Sequence, residues 1–279
     1  MTVRTIGIVG LGLIGGSIAL RAKAADPGIH VIGMSRSSAT VAEAISLGVI
    51  DRAAATFSDF EGADIVFVCT PIPAVLETLI GLDDALVTPT ILTDVASLKG
   101  ALAEAVAQQT WRHSVVLGHP MAGKETSGLA SADAELLVGK TYILIDDTTV
   151  LTTVLTGWGC HVVGLTATDH DRLVGYASHL PYLASVLATA MAKNSVSDIP
   201  LFSKIAASGF KDTTRVSASD PEWGADVLMG NRETVLAGIE SAKMLLAEIE
   251  DTIRTGDQPR LRAILSAIKA FRTGLYSPK

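Results

Sequence analysis

Ile6-Gly-Ile-Val-Gly-Leu-Gly-Leu-Ile-Gly-Gly-Ser17 is the stretch whose reading decides the fold of this chain. Its apolar start (Ile6, Ile8, Val9) reads as a buried strand, which breaks into Gly10-x-Gly12-x-x-Gly15. Apolar residues then return at helical spacing through Ile14, Ile18 and Leu20. Strand, glycine turn and helix bring backbone N–H groups and a helix N-terminus to one point, the arrangement that holds a pyrophosphate. Gly10 permits the tight turn, Gly12 lets a phosphate approach the backbone, and Gly15 lets helix and strand pack closely. A glycine turn alone is a weak signal. Between a strand and a helix it points to dinucleotide binding, with Gly10, Gly12, Leu13, Ile14 and Gly15 as the binding turn.

Outward from this turn the chain repeats strand and helix. His30–Met34 reads as the second strand. Further strands are expected at 63–71, at Ile91–Asp94, at 114–117, at Thr141–Ile145 and at 161–163. Helices should lie between them, through Ala74, Leu76, Leu79 and Ile80, and again near 150–158. This alternation describes an α/β fold, a doubly wound and mostly parallel sheet that binds ligands beyond the carboxyl ends of its strands. At the end of the second strand, about 20 residues past the glycines, an acid would grip the ribose 2′-OH of NAD. Ser35-Arg36-Ser37 stands there instead. A guanidinium matches a 2′-phosphate, so NADP is the expected cofactor; the plainer reading has Arg36 as a solvated cation and Ser37 as a helix cap. Thr70, Pro71 and Asp94, at strand ends on the same edge, are assigned to cofactor binding.

The second half changes texture near Leu165. Thr166-Ala-Thr-Asp169 has capping-box spacing, and helical patterns follow without strand signals. Residues 177–193 are apolar almost all round, as in a helix buried on every side. In 231–255 the apolar positions Val235, Ile239, Ala242, Leu246, Ile249 and Ile253 form a helix-packing seam, and 261–275 adds a terminal helix. We therefore expect a Rossmann-type domain over 1–164 and an all-helical domain over 165–279 that serves substrate binding and homodimer formation. With 279 residues, 48% of them apolar, there is material for a sizeable core, and a net charge of −7 argues against a nucleic-acid surface. No apolar run is long enough to span a bilayer, and the first strand follows Met1 too closely for a leader, so a cytoplasmic protein is expected. Cys69 and Cys160 lack metal-ligand or CxxC spacing and read as buried thiols.

His119 is the sharpest candidate for chemistry. It follows a strand, flanked by Gly118 and Pro120 at the edge where ligands sit, and a neutral imidazole there could take a proton from a hydroxyl. His30, His113, His161 and His170 lack such a setting and read as structural or surface residues. His179, in Ser178-His-Leu-Pro181, is either paired internally or directed to a cleft. Lys211 and Arg215, if helical, share one face and could meet a carboxylate, or form a solvated face balanced by Asp212 and Asp220. Ser97 could hydrogen-bond a substrate hydroxyl. No cluster has metal spacing, and no serine or cysteine sits in a nucleophile elbow.

These blocks resemble the arogenate/prephenate dehydrogenase family of tyrosine biosynthesis. The likeness runs through Gly10-Leu-Gly-Leu-Ile-Gly15, Thr70-Pro71, Asp94-Val-Ala-Ser-Leu-Lys99, Gly118-His-Pro-Met-Ala-Gly123, Ser178-His-Leu-Pro181 and Gly209-Phe-Lys-Asp-Thr-Thr-Arg215. It implies that His119 accepts the proton of the ring 4-hydroxyl, that Ser97 helps to hold that hydroxyl, and that Arg215 binds a substrate carboxylate. His179, Lys211 and Tyr182 would complete the substrate site. Tyr182 stands where prephenate-using members often have a second histidine; with Ser35-Arg36, this implies a short NADP-using arogenate dehydrogenase, without a fused mutase or regulatory domain. The alternatives are prephenate as substrate, an NADP-dependent imine or β-hydroxyacid reductase, which should lack the His119 and Arg215 blocks, and a non-catalytic NADP sensor.

Overall fold

A computed structural model describes residues 3–145 and 149–277. The residues before Val3, on which the expectation of no leader rests, lie outside the described set. The chain divides into two compact units, 1–231 and 232–279. In the first, the elements in order are β1 (Thr5–Val9), α1 (Leu13–Ala25), β2 (His30–Met34), α2 (Ser38–Ser46), β3 (Arg52–Ala53), β4 (Ile65–Val68), α3 (Val75–Ala85) and β5 (Ile91–Asp94). There follow α4 (Gly100–Ala107), β6 (Ser114–Pro120), β7 (Thr141–Ile145), α5 (Thr149–Gly157) and β8 (His161–Leu165). Helices alone come after Leu165: α6 (Ala167–Val174), a π-helical turn over Gly175–His179, then α7 (Leu180–Ser195), α8 (Ile199–Ile205), α9 (Ser208–Thr214) and α10 (Pro221–Gly230). The second unit is α11 (Arg232–Thr255) and α12 (Gln258–Leu275), with Arg260 bridging Glu248 and Asp251.

The eight strands stand in the order β3-β2-β1-β4-β5-β6-β7-β8. All neighbours are parallel except β6 and β7, where His119 faces Ile143. The short β3 escaped the sequence reading because two residues carry no periodicity. Both faces of the sheet are covered, so the central strands are apolar throughout. Ile65 and Phe67 face one cluster with Ile18, Leu151 and Trp158; Val66 and Val68 face another with Val75, Leu79 and Leu82. Each of these fully buried side chains contributes about 1.5–3 kcal/mol of transfer free energy.

Two expectations need correction. Strand β6 runs on to Pro120, so His119 lies within a strand rather than after one. Residues 177–193 are not one helix buried on every side: the π-helical turn precedes α7, and Leu187 and Met191 are 55% and 66% exposed. An apolar surface read as interior is bare in the single chain. On the α11 seam Val235 is buried, while Leu246 and Ile253 are each 65% exposed in the single chain, as a face meant for a second copy would be.

Candidate active site

The glycine turn is built as its spacing demands. Gly10 has φ of +105°, and a Cβ there would lie 2.4 Å from the Cys69 carbonyl oxygen. A Cβ on Gly15 would lie 2.0 Å from the Gly10 carbonyl oxygen, so no larger residue fits between β1 and α1. Around Gly12, by contrast, there is open space. Ser37, Thr166, Asp198 and Asp220 cap their helices with side-chain oxygens, but α1 opens on Gly12 with no side-chain cap. Its first N–H groups are left to meet an anion. The Thr70 hydroxyl, beyond the end of β4, is buried and has no partner among the described residues. Arg36 is exposed and makes no ion pair among them, while Ser37 caps α2 by accepting from the Thr40 N–H at 3.2 Å. An open glycine, an uncapped helix and an orphaned hydroxyl fit the pyrophosphate of a dinucleotide.

Asp94 requires correction as a cofactor ligand. It is fully buried; Oδ1 accepts from Gly118 N–H, and Oδ2 from Ala96 N–H at 2.8 Å and Lys99 Nζ at 2.7 Å. Its carboxylate is thus occupied internally. Lys99, equally buried, also donates to the Ala96 carbonyl at 2.6 Å. Burial pulls the Lys99 ammonium below its ordinary pKa, and Asp94 opposes that shift. Ser97, between these two, is half-buried, and its hydroxyl has no hydrogen bond among the described residues.

His119 is 8% exposed, and its Nδ1 lies 2.9 Å from Nε2 of His170. His170 is wholly buried, with Nδ1 2.8 Å from Oδ1 of Asp171. The same carboxylate accepts from the backbone N–H groups of Lys99 and Gly100, at 2.8 and 2.7 Å. His170, taken from the sequence as structural or surface, therefore touches the candidate base, and Asp171 stands behind it. A signal was available: His170 and Val174 are one helical turn apart and both buried, which turns His170 inward. Burial, above all, pushes the His119 imidazole well below 6.5, helped by the neighbouring ammonium of Lys99. It is neutral, as a proton acceptor must be.

Of the two readings of His179, internal pairing is met at one ring nitrogen. Its Nδ1 lies 3.1 Å from the amide nitrogen of Asn231, while Nε2 is buried without a partner among the described residues. Burial lowers its pKa to about 4. Lys211 and Arg215 do not share a helix face: α9 ends at Thr214, and Arg215 begins a 3₁₀ turn. Arg215 pairs with Glu125, not with Asp212 or Asp220, and Lys211 is exposed. Tyr182 is packed edge-on to Trp223 with centroids 5.3 Å apart, a packing position rather than a free one.

Comparison with known proteins agrees with this layout. Residues 18–156 match the family model described as prephenate dehydrogenase, nucleotide-binding domain, and residues 166–267 match prephenate dehydrogenase, dimerization domain. The chain is 33% identical to the prephenate dehydrogenase of Bacillus subtilis, over 97% of this chain and 76% of that protein. Among solved structures it is similar to the arogenate dehydrogenase of Synechocystis, at 34% identity and a TM-score of 0.80, over 97% of this chain and 99% of that one. It is also similar to the prephenate dehydrogenase of Aquifex aeolicus in complex with hydroxyphenyl propionate and NAD⁺, at 27% identity and a TM-score of 0.86 over 99% of both chains. Likeness of this depth, carried from the glycine turn through the helical half, makes the chain a member of the prephenate/arogenate dehydrogenase family of oxidoreductases.

Proposed function

We propose that this protein is an NADP-dependent arogenate dehydrogenase, converting L-arogenate to L-tyrosine in the cytoplasm. The observation that carries this reading is His119: a buried, neutral imidazole at the carboxyl edge of the sheet, with Nε2 free of any hydrogen bond among the described residues. Nε2 draws the proton from the ring 4-hydroxyl; C4 gives up its hydrogen as hydride, the ring carboxylate leaves as CO₂, and the ring becomes aromatic. The nicotinamide, when bound, supplies the hydride acceptor. Ser97 holds the same hydroxyl, Arg215 receives a substrate carboxylate, and His179, through its unpaired Nε2, and Lys211 assist. Gly10, Gly12, Leu13, Ile14 and Gly15 take the pyrophosphate, with Thr70 and Pro71 at the adjacent strand end.

Arogenate carries an amino group where prephenate carries a keto group. Tyr182 provides no second imidazole for a keto side chain, and similarity to the Synechocystis arogenate dehydrogenase supports the same choice. Prephenate is the second reading, favoured by the relatives named as prephenate dehydrogenases. Assay of the purified protein with both substrates and both cofactors separates them: kcat/KM is expected to be highest with arogenate and NADP⁺. Efficient use of prephenate with negligible arogenate turnover would reverse the assignment.

Two further expectations accompany this reading. One charged hydrogen bond is worth about 1.5–3 kcal/mol, so Arg36→Ala should cut the preference for NADP⁺ over NAD⁺ roughly tenfold or more. Equal kcat/KM with both cofactors in the unmodified enzyme would rule this role out. We also propose a homodimer, built by the bare apolar surfaces of α7, α11 and α12, where Leu187, Leu246, Leu265 and Phe271 are all more than half exposed. Light scattering at micromolar concentration should report twice the 29.0 kDa chain mass. A fully active monomer would exclude it.

A further inference from the structure

Residues 119, 170 and 171 form a line of alternating donors and acceptors, and only one end of that line is ambiguous. Asp171 accepts from two backbone N–H groups, Lys99 and Gly100. Burial pushes its carboxyl up, but the hydrogen bonds from His170 and those two amides outweigh it and hold the group ionised. An ionised carboxylate only accepts. Nδ1 of His170, 2.8 Å away, must therefore carry the proton. In a neutral imidazole that leaves Nε2 of His170 as a bare acceptor. The only atom it meets in the line is Nδ1 of His119, at 2.9 Å, which must then donate. With its one proton on Nδ1, His119 has a bare lone pair on Nε2.

We propose that His170 and Asp171 are positioning residues that fix His119 in the Nδ1–H tautomer, so that Nε2 always faces the substrate hydroxyl as an acceptor. This role rests on the reading of His119 as the base. An imidazole without such a partner divides its proton between two nitrogens, and the Nε2–H form would meet the hydroxyl with a proton already in place. The relay has a second consequence. A carboxylate bonded directly to His119 would favour the imidazolium and raise its pKa. Here the charge of Asp171 stands one imidazole further off, so the tautomer is chosen while the base stays neutral. When Nε2 takes the substrate proton, Nδ1–H keeps its bond to His170, and no heavy atom has to move.

The decisive measurement is ¹⁵N–¹H spectroscopy of the intact enzyme labelled at histidine nitrogen, with His119 identified by the signal missing in His119→Asn. A protonated Nδ1 and a bare Nε2 on His119 are expected in the unmodified enzyme. A bare Nδ1 would overturn the proposal without any further variant. In His170→Leu the proton should redistribute to Nε2, and kcat should fall roughly 10²-fold with KM for the substrate nearly unchanged. His170→Gln, whose amide oxygen can still accept from Nδ1, should restore kcat to within about tenfold of the unmodified enzyme. Because the relay acts only through His119, adding His170→Leu to His119→Asn should slow the enzyme no further. If His119→Asn alone keeps its kcat, it is the reading of the base that fails. If His119→Asn is slow but His170→Leu is not, or if the double variant is slower than His119→Asn, the relay is wrong and the base stands.

Discussion

His119→Asn is expected to lower kcat by about 10²–10⁴-fold, the contribution of a positioned general base. Asparagine can hydrogen-bond the substrate hydroxyl but cannot take its proton near neutral pH. Cofactor affinity should barely change, because the proposed cofactor contacts, the glycine turn and Arg36, belong to β1, α1 and the end of β2 and not to β6. The pH profile gives the prediction its sign. With His119 as the proposed base, the neutral imidazole is the active form, so kcat/KM should be lost as pH falls through the pKa of His119 in the free enzyme. Burial first, then the ammonium of Lys99, hold that pKa well below 6.5. The profile should therefore stay flat through neutrality and bend only at more acid pH, and the bend should vanish in His119→Asn. A variant that keeps both its rate and its acid limb would move the base elsewhere, with His179 the next imidazole to test.

Lys99→Met should be strongly destabilising. Lys99 and Asp94 are both fully buried, and removing the cation leaves a carboxylate inside the sheet edge with only two backbone amides for support. Breaking a buried pair from one side costs about 3–5 kcal/mol, readable as a fall in the urea midpoint at unchanged m-value. Asp94→Asn with Lys99→Met together should recover part of the loss, since no net buried charge remains. A midpoint within experimental error of the unmodified protein would show that the pair is not the support described here. Lys99 also depresses the pKa of His119. In whatever fraction of Lys99→Met folds, the acid limb should move to higher pH.

The layered α/β unit and its cofactor turn were legible because both rest on local rules: apolar runs in covered strands, and glycines where a Cβ would strike backbone. The sequence reading puts His119 after its strand, and the structure places it inside, because β6 runs on to Pro120 through pairing with β7 that no local pattern shows. What lay beyond the sequence was partnership across distance. Arg215 finds Glu125 ninety residues away, and its own helix ends one residue before it. His170 reaches His119 across 51 residues, from a helix whose composition suggests only a capped, amphipathic connector. The sequence reading assigns Asp94 to the cofactor because nothing local shows that Lys99 folds back over the intervening loop to meet it. The bare face of α7 was misread because composition says which residues are apolar, not what covers them.

The reversal of direction between β6 and β7 has a bearing on how this scaffold tolerates change. His119 lies inside a paired strand, opposite Ile143, so its aim is set by counting residues along β6. Adding one residue between Ser114 and Leu117 would turn the imidazole to the opposite face of the sheet. The long connection from β6 to β7 carries no such count: lengthening it near Gly128, on the surface, leaves the pairing of His119 intact. Insertions and deletions among descendants of this chain should therefore collect in that connection and be absent from the strand.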